Sequence, residues 1–481
     1  MSARPLWTLD AMATAMAATR MGALPRDISG ISIDSRTIAA GEAFFAIKGD
    51  THDGHGFVAG ALKNGAGLAV VAETKRGEMP ESAPLLVVPD VLAGLVDLGR
   101  AARARANAKV IAVTGSVGKT STKDALRLAL SRDGETHASV ASFNNHWGVP
   151  LSLARLPENA RYGVFEIGMN HAGEITPLTR LVQPRVAIVT SVAPVHLEFF
   201  KSIEAIADAK AEIFMGLTPD GAAVLNRDID QFQRLKRRAT EAGVGRIVAF
   251  GEHAKADARL LKCALQPDGS TVEANILGTR VAYKVGAPGK HLVINSLAVL
   301  AAAHLAGADL ALAALALADQ APAAGRGTRV VLDMPGGSAL LIDESYNANP
   351  LSMRAAFALL GQSTIGARGR RIAVLGDMLE LGEAGATLHR ELAGPIEEND
   401  IDLVFCAGPL MESLWQALPS ARRGGYARDA AALEPAVLDA VRSGDAVMVK
   451  GSLGSRMGPI VKALVRRHAP PAASELASAQ G

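Results

Sequence analysis

The chain has 481 residues, with 50 Lys and Arg against 48 Asp and Glu, a formal net charge of +2 at pH 7 and 49% hydrophobic residues. This length predicts about three domains, and the composition is that of a globular protein, not of a disordered or fibrous chain. Charges of both signs are mixed along the sequence, which argues against a nucleic-acid partner, since that requires a concentrated basic face. Cys263 and Cys406 lack zinc-site and disulfide spacings, so a reducing, cytoplasmic environment is expected.

The start of the chain and its most apolar stretch carry no membrane signal. Residues 1–10 lack the basic and apolar segments of a secretory signal. Residues 293–318 are interrupted by polar side chains, which favours a buried helix pair broken near Gly307 over a membrane span. We therefore expect no stable membrane insertion. The Pro-, Ala- and Ser-rich tail at 469–481 is predicted to be disordered.

Short β-branched segments alternate with alanine-rich amphipathic segments along most of the chain. This alternation is typical of βα units around parallel sheets and predicts an α/β fold. The candidate strands are too many for one sheet, and Arg/Ala-rich and Pro/Gly-rich segments suggest borders near residues 106 and 326. The predicted domains are 1–106, 107–325 and 326–468. The candidate strands are 67–71, 85–88, 110–114, 162–167, 186–190, 222–226, 246–250, 339–342, 371–375, 403–407 and 446–450.

The strongest chemical signal is a glycine-rich segment, TGSVGKTS at 114–121, between a predicted strand and a predicted helix at 121–130. Backbone N–H groups of such a loop and the following helix N-terminus bind phosphate oxygens, Lys119 adds a charge, and the Thr120 hydroxyl can hold Mg²⁺. Val113 stands where the usual motif has glycine, so the loop is a shortened variant, and an ordinary turn is the alternative. The residues assigned to nucleotide binding are Gly115, Ser116, Val117, Gly118, Lys119, Thr120 and Ser121.

Three further polar residues could complete this site. Glu166 closes the predicted strand at 162–167, and its carboxylate is expected at the carboxyl edge of the sheet, where open α/β sheets bind ligands. His196 follows the next strand by a loop, and Lys210 lies in a helical segment. Each also has a structural interpretation: a turn cap, a structural histidine and a surface lysine. They become catalytic candidates only if they converge on the phosphate loop.

Other polar clusters have two possible interpretations, a local structural role or a role in binding. Adjacent Asn144 and Asn145 mark a turn or contact a substrate. Asn295, near the start of an alanine-rich helix, contacts a base or caps the helix. Arg326 in the loop before the third domain reaches a phosphate or is a hinge cation. In the segment at 343–350, DESYNANP, an Asn-Pro turn explains only its last two residues.

In the first domain, two segments are rich in hydrogen-bonding groups. Arg36 in the segment DSR at 34–36 could pair with a phosphate. The segment THDGHGF at 51–57 is a glycine-hinged turn, and its histidines and aspartate lack the third ligand set that a metal site needs.

These segments together resemble the Mur ligases, ATP-dependent amide-forming enzymes of peptidoglycan precursor synthesis, over residues 32–457. The shortened loop is similar to that family's ATP motif. The segments ASFNNHWGVPLSLA, FEIGMNHAGEI, LIDESYNANPLSM and VLGDMLELGE are most similar to the member that adds D-alanyl-D-alanine to UDP-N-acetylmuramoyl-tripeptide. The Asp-Asn-Pro-Arg motif of the member that adds a diamino acid is absent from the sequence. The late loop KGSLGSRM at 450–457 departs from the family by being less polar.

The resemblance implies an N-terminal domain that holds the UDP moiety, a central P-loop ATPase domain and a Rossmann-like C-terminal domain that contacts the dipeptide. It implies ATP and Mg²⁺ as cofactors, UDP-MurNAc-tripeptide and D-Ala-D-Ala as substrates, an acyl-phosphate intermediate, and a cytoplasmic protein that we expect to be a monomer. Lys210 matches a lysine that several members carbamylate.

The site residues implied by the resemblance fall into four groups. The catalytic residues are Lys119, Glu166, His196 and Lys210. The metal ligands are Thr120, Glu166, His196 and Lys210. Beyond the loop, the ATP-binding residues are His291, Asn295, Arg326 and Asp343. The substrate-binding residues are Ser35, Arg36, Asp53, Gly54, His55, Asn144, Asn145, Asn347 and Asn349.

Three alternatives stay open. Another Mur ligase would use the same site with a different acceptor. A ligase similar to folylpolyglutamate synthase shares the P-loop and the mechanism but does not need an N-terminal domain for UDP. A nucleotide switch, or a P-loop protein that moves a partner, would hydrolyse ATP in response to a macromolecule.

Overall fold

The computed structural model describes residues 5–49, 51–140, 142–195 and 197–468. It contains three α/β units in chain order, each with its own main sheet, which confirms the predicted α/β class. Residues 106–108 and 320–327 connect the units. Within these described ranges no helix is long and apolar enough to span a membrane. His196 and the tail at 469–481 lie outside the described residues.

The N-terminal unit, residues 5–105, is built on a five-stranded sheet. Its elements are β1 (Trp7–Thr8), α1 (Leu9–Ala15), β2 (Thr19–Met21), β3 (Asp27–Ile28), β4 (Ile31–Ser32), β5 (Ala43–Phe45), α2 (Val58–Lys63), β6 (Leu68–Ala72), β7 (Leu85–Val88) and α3 (Val91–Arg105). The strand order is β2-β7-β6-β5-β4, parallel except for β2, while β1 and β3 form a separate antiparallel pair. Strands β5 to β7 are almost entirely buried, as expected for parallel strands covered on both faces.

The central unit contains a nine-stranded sheet. Its elements are β8 (Lys109–Thr114), α4 (Lys119–Ser131), β9 (Thr136–Ala138), α5 (Gly148–Ala154), β10 (Tyr162–Glu166), α6 (Ile175–Val182), β11 (Val186–Val189), α7 (Ile203–Ala211), β12 (Ala222–Asn226), α8 (Phe232–Glu241), β13 (Arg246–Gly251), β14 (Ala258–Gln266), β15 (Gly269–Ile276), β16 (Thr279–Val285), α9 (Lys290–Leu305) and α10 (Leu310–Ala316). The order is β16-β15-β14-β13-β12-β11-β8-β10-β9, in which β14 to β16 are an antiparallel meander and the other pairs are parallel.

The alanine-rich stretch forms the predicted helix pair. Helix α9 is buried on nearly all sides, and Gly307, with φ +77°, lies in the left-handed region between α9 and α10. Glycine enters that region without the steric cost that other residues meet. The pair packs against α4 and the sheet, and so fixes the position of the first turn of α9 relative to the phosphate loop.

The C-terminal unit contains a six-stranded sheet. Its elements are β17 (Thr328–Met334), β18 (Gly337–Glu344), α11 (Pro350–Gly361), β19 (Arg371–Gly376), α12 (Gly385–Arg390), α13 (Ala393–Glu398), β20 (Leu403–Ala407), α14 (Glu412–Ala417), β21 (Arg423–Ala427), α15 (Ala430–Ala440), β22 (Ala446–Lys450) and α16 (Gly458–Arg467). The order is β17-β18-β22-β19-β20-β21, parallel except for β17. Strand β22 lies between β18 and β19, so a crevice forms at the carboxyl ends of these strands.

The units differ in how they join. The core of the N-terminal unit continues into the central unit, because Leu151 and Ala154 of α5 belong to the same buried cluster as Leu95 and Leu98 of α3. Trp7 Nε1 also donates a hydrogen bond to the Ala154 carbonyl at 2.9 Å. The described core clusters of the C-terminal unit contain residues of that unit alone.

Candidate active site

The phosphate loop connects the carboxyl end of β8 to the first turn of α4. Gly115 and Gly118 have φ values of +153° and +88°, in the left-handed region. A Cβ at Gly115 would lie 2.0 Å from Thr190 Oγ1, and one at Gly118 would lie 2.5 Å from Asn295 Nδ2. Both positions therefore require glycine for conformation and for space. The close approach also brings Asn295, in the first turns of α9, directly onto the loop.

Residues directly after the neighbouring strand β11 hold the phosphate loop in place. Ser116 N donates to the Ser191 carbonyl at 2.9 Å, and Val117 N donates to Ser191 Oγ at 3.0 Å. Thr190 Oγ1 donates to the Val117 carbonyl at 2.6 Å. Sequence reasoning missed Thr190 and Ser191, although their position directly after the strand β11 was a usable signal.

Lys119 lies in the loop with its ammonium near the other charged groups of the site. Its Nζ donates to the Gly115 carbonyl at 2.7 Å. Burial lowers the pKa of Lys119, the carboxylate of Glu166 raises it, and the guanidinium of Arg326 lowers it. The loop lysine, a strand-end carboxylate and a cation of the interdomain loop therefore share one electrostatic environment.

Glu166 is 1% exposed and has a partner on each oxygen. Thr120 Oγ1 donates to Glu166 Oε2 at 2.9 Å, and Asn144 Nδ2 donates to Glu166 Oε1 at 2.6 Å. Gly168 gives Asn144 room, since a Cβ there would lie 2.7 Å from Asn144 Oδ1. Thr120, Glu166 and Asn144 thus converge beside the phosphate loop, and the oxygens of Thr120 and Glu166 suit a hard cation.

Lys210 lies in the last turn of α7 and is 2% exposed. Burial and the charge of Lys119 hold the pKa of Lys210 well below its usual range. The structure thus does not support a solvated surface lysine: Lys210 is a buried amine beside the phosphate loop. Burial and the neighbouring positive charge both favour the neutral form of this amine relative to an exposed lysine.

The C-terminal unit reaches the same cleft. The guanidinium carbon of Arg326 lies 4.3 Å from the centre of the Tyr346 ring, and Arg326 Nη2 donates to Ser142 Oγ at 3.4 Å. Asp343 Oδ1 accepts hydrogen bonds from Ser345 N and Oγ at 3.0 and 2.6 Å. Arg326 therefore bridges from the interdomain loop to the phosphate-loop region, while Asp343 organises the turn after β18.

A buried ion pair forms the base of this turn. Lys450 Nζ, at the end of β22, lies 3.0 Å from Glu344 Oε2 and donates to the Asn347 carbonyl at 2.9 Å. Loss of water lowers the pKa of His291, and the charges of Glu344 and Lys450 act on it in opposite directions. His291 in the first turn of α9 is thus close to the C-terminal unit. Sequence reasoning did not assign Glu344 or Lys450 to the site.

Two of the predicted substrate-binding asparagines have local structural roles. Asn349 caps α11, accepting from Ser352 N at 2.9 Å, and Ser352 Oγ accepts from Asn349 N at 3.0 Å. Asn145 Oδ1 accepts from Gly148 N at 2.9 Å at the start of α5. Asn347 is exposed, with its Oδ1 accepting from Ala348 N at 2.9 Å.

The predicted substrate residues of the N-terminal unit form two surface turns. Arg36 donates from Nε and Nη2 to the two carboxylate oxygens of Asp34 at 2.9 and 2.7 Å, which lowers the pKa of Asp34 to about 2. The Arg36 side chain is 84% exposed, so its remaining donors face solvent. Ser35 lies beside it, its carbonyl accepting from Asn64 Nδ2 at 2.9 Å.

The second turn contains Asp53, Gly54 and His55. His55 Nε2 accepts a hydrogen bond from Ala72 N at 2.9 Å, so its proton lies on Nδ1, which donates to Asp53 Oδ1 at 2.6 Å. A Cβ at Gly54 would lie 2.6 Å from the Ile47 carbonyl oxygen. Asp53 and His55 thus fix the shape of this loop and lie apart from the phosphate-loop cluster.

A phosphate loop in one α/β unit, faced by a cation from the loop that leads to the next unit, is typical of a nucleotide-dependent enzyme of the P-loop class. Three family models match the chain: the Mur ligase family catalytic domain at residues 27–114, the Mur ligase middle domain at 113–303, and the Mur ligase glutamate ligase domain at 325–453. The chain belongs to the Mur ligase family.

Individual relatives agree with this assignment. The chain is 32% identical over 448 residues to the UDP-N-acetylmuramoyl-tripeptide–D-alanyl-D-alanine ligase of Bacillus subtilis, covering 91% of this chain and 93% of that protein. A crystal structure of MurF from Acinetobacter baumannii matches with a TM-score of 0.82 and 30% identity, over 96% of this chain and 100% of that one. MurF from Thermotoga maritima in complex with ADP matches with a TM-score of 0.73 and 26% identity, over 91% and 98% of the chains.

Proposed function

We propose that this chain joins D-alanyl-D-alanine to UDP-N-acetylmuramoyl-tripeptide, converting ATP to ADP and phosphate. The observation that carries the proposal is the convergence of the phosphate loop, Glu166 and the buried amine of Lys210 in a chain that matches ligases of that name over nine tenths of its length. The N-terminal turns, with Arg36 exposed, are proposed to hold the UDP end of the donor. The crevice beside Asn347 is proposed to hold the dipeptide.

The donor set at the phosphate loop fits Mg²⁺. The two side-chain oxygens of Thr120 and Glu166 lie 2.9 Å apart and are buried, and Mg²⁺ prefers such oxygen ligands together with water and phosphate oxygens. In the part of the chain that the structure describes, no group of three or more His, Cys, Asp or Glu could hold a metal, so phosphate oxygens and water would complete the shell. His196 is proposed as a further ligand, and so is Lys210 if it is carbamylated.

The chemistry begins with two anions that repel one another. The terminal carboxylate of the tripeptide attacks the γ-phosphorus of ATP, ADP leaves, and an acyl phosphate forms. Lys119 and the loop N–H groups bind the phosphate oxygens and align this displacement, while bound Mg²⁺ supplies additional neutralising charge. Arg326 adds a cation from the interdomain loop.

In the second half-reaction the free amine of D-Ala-D-Ala attacks the acyl carbonyl. The tetrahedral adduct loses its proton and expels phosphate, which leaves a new amide bond. Water would compete with the amine for the acyl phosphate, so the cleft must exclude water. Two contacts between the central and C-terminal sides support this exclusion: Arg326 Nη2 donates to Ser142 Oγ at 3.4 Å, and Glu198 N donates to the Glu380 carbonyl at 3.3 Å.

The deciding experiment measures phosphate release from ATP with Mg²⁺ and UDP-MurNAc-tripeptide, with and without D-Ala-D-Ala, and follows the nucleotide product by mass. We expect phosphate release that depends on the dipeptide, and a nucleotide product that is heavier by one D-Ala-D-Ala unit. Lys119→Ala should reduce ADP formation by at least about 100-fold. Ligation of a single amino acid instead would assign the chain to another Mur ligase activity. ATP hydrolysis that needs neither acceptor would refute the proposal.

We further propose a cytoplasmic location and a monomeric state. ATP and UDP-linked precursors are intracellular metabolites, and the candidate site is formed within one chain. Size-exclusion chromatography with light scattering of the purified chain tests the second point.

A further inference from the structure

A surface cleft of about 520 Å³ lies where β13, β14 and the turn between β15 and β16 meet. Its lining includes Arg246, Asp257, Arg259 and Asn275, and none of these belongs to the candidate active site. The strands β13 and β14 pair at only two positions, Phe250 with Ala258 and Gly251 with Arg259. A cleft of this volume is large enough for a small molecule.

Two guanidinium groups in this cleft lack an acidic partner. Neither Arg246 nor Arg259 forms an ion pair with any residue that the structure describes, and Nε of Arg259 is buried with no hydrogen-bond partner among those residues. Elsewhere in the same unit, Arg234 and Arg238 both bind Asp208. Because the Nε of Arg259 is buried, an anion in the cleft would contact the more accessible terminal N–H groups of these arginines, which no described carboxylate occupies.

The single carboxylate in the cleft has structural contacts. Asp257 Oδ2 accepts from Ala249 N at 2.7 Å, and its backbone N donates to the Ala249 carbonyl at 2.8 Å. Its carbonyl accepts from Leu277 N at 2.9 Å, so Asp257 ties β13 to the β15–β16 turn. The cleft therefore has two cations against one carboxylate that is committed to the backbone.

We propose that this cleft binds a small ligand with two anionic groups, such as a diphosphate or a polycarboxylate. Guanidinium groups bind both kinds of oxyanion through paired N–H donors. Two of them on one cleft favour a ligand that presents two oxyanions over one that presents a single charge. The proposal does not depend on the ligase activity.

The test is calorimetric titration of the full chain at low salt with inorganic pyrophosphate, and separately with citrate. The phosphate loop and the exposed Arg36 turn also bind anions, and these background sites are the same in every variant. We expect the wild-type chain to bind at least one of the two probes at an additional class of sites. Arg259→Ala and Arg246→Ala should each weaken that class about tenfold, and the double variant should lose it.

Arg237→Ala is the matched control, because Arg237 is an exposed arginine of α8 in the same unit, near Glu241. It should leave both classes of sites unchanged. Arg246 is exposed, so Arg246→Ala remains informative even if Arg259→Ala fails to fold. Binding of citrate alone, or of pyrophosphate alone, identifies the class of ligand. An equal number of classes of sites in the wild-type chain and in the double variant would overturn the proposal.

Discussion

Lys119 and Lys210 lie in one cluster, where burial removes water from both ammonium groups. This loss of solvation lowers the pKa of each side chain. Proximity adds to the effect, since the charge of Lys119 also lowers the pKa of Lys210. A cluster of this kind suits a site that receives a triphosphate, whose negative charge offsets the repulsion. Burial of these two lysines is therefore expected to lower the stability of the protein without its nucleotide.

Lys210→Met should make the protein more stable while removing its activity. The pKa of Lys210 is lowered on folding, so the unfolded chain binds more protons below pH 10.5, and the unmodified lysine costs stability near pH 7 that is recovered as the pH rises. The methionine removes this cost, so we expect the melting temperature to rise by about 2–4 °C per kcal/mol relieved, and kcat to fall at least about 100-fold. A lower melting temperature would instead show that Lys210 is stabilised in another form, such as a carbamate.

Arg36→Ala should weaken binding of the UDP-linked substrate without changing stability. The Arg36–Asp34 pair is exposed, and pairs of this kind contribute little to folding. A charge-assisted contact to a phosphate is stronger, so the KM for the nucleotide substrate should rise about 10- to 100-fold, with the KM for ATP unchanged. Arg20→Ala, which breaks the exposed Arg20–Asp10 pair of the same unit, is the control and should change neither. An unchanged KM in Arg36→Ala would remove Arg36 from the site.

At the scale of elements, the sequence predicted buried parallel strands well and exposed antiparallel strands poorly. Strands β7, β12, β20 and β22 begin and end as predicted, because each is a short apolar run between turn residues. The meander β14–β16 was not predicted, since its strands mix buried with exposed residues and lack a continuous apolar run. Strand β21, with two glycines, gave no β signal either.

The same limit applies to the site. Lys119 and Thr120 were predicted because a local motif carries them. Thr190 and Ser191 reach the loop only through the order of strands in the sheet, which local pattern does not encode. Contacts across 70 or more residues therefore account for most of what sequence reasoning missed.

Asn347 and Asn349, in the turn before α11 and at its N-cap, are expected to separate a binding role from a structural one. Asn349→Ala removes the hydrogen bond that the Asn349 side chain accepts from Ser352 N at the start of α11, and should lower the free energy of unfolding by about 1 kcal/mol. Asn347→Ala, at an exposed position two residues earlier, should leave stability unchanged and raise the KM for the dipeptide. Thermal unfolding and steady-state kinetics of both variants test this. A raised dipeptide KM in Asn349→Ala, with unchanged stability, would show direct contact with substrate instead.

At the scale of the whole molecule, the active cleft is assembled from two units, and Arg326 is the described residue that links the interdomain loop to the phosphate-loop lysine electrostatically. Its stacking on Tyr346 and its contact with Ser142 join the two sides. Arg326 should therefore have two roles: it should help to exclude water from the cleft, and it should stabilise negative charge in the transition state.

Arg326→Ala should slow ligation by about 100-fold and uncouple it from ATP consumption. Without the arginine, more acyl phosphate should be lost to water, so the ratio of phosphate released to ligated product should rise above one. Parallel assays of phosphate and of product mass measure that ratio. Arg466→Ala, at an exposed site in the last turn of α16, should keep the wild-type rate and ratio. A slow but fully coupled Arg326→Ala enzyme would limit the role of Arg326 to charge.

The continuous core between α3 and α5 has a consequence for protein engineering. Removing the N-terminal unit would expose Leu151 and Ala154, and the isolated N-terminal unit would lack them, so neither piece should behave as a module. The described hydrophobic clusters of the C-terminal unit contain only residues of that unit. Residues 326–468 are therefore the segment to express alone or to exchange between relatives when a different acceptor is wanted, with the donor end of the enzyme left intact.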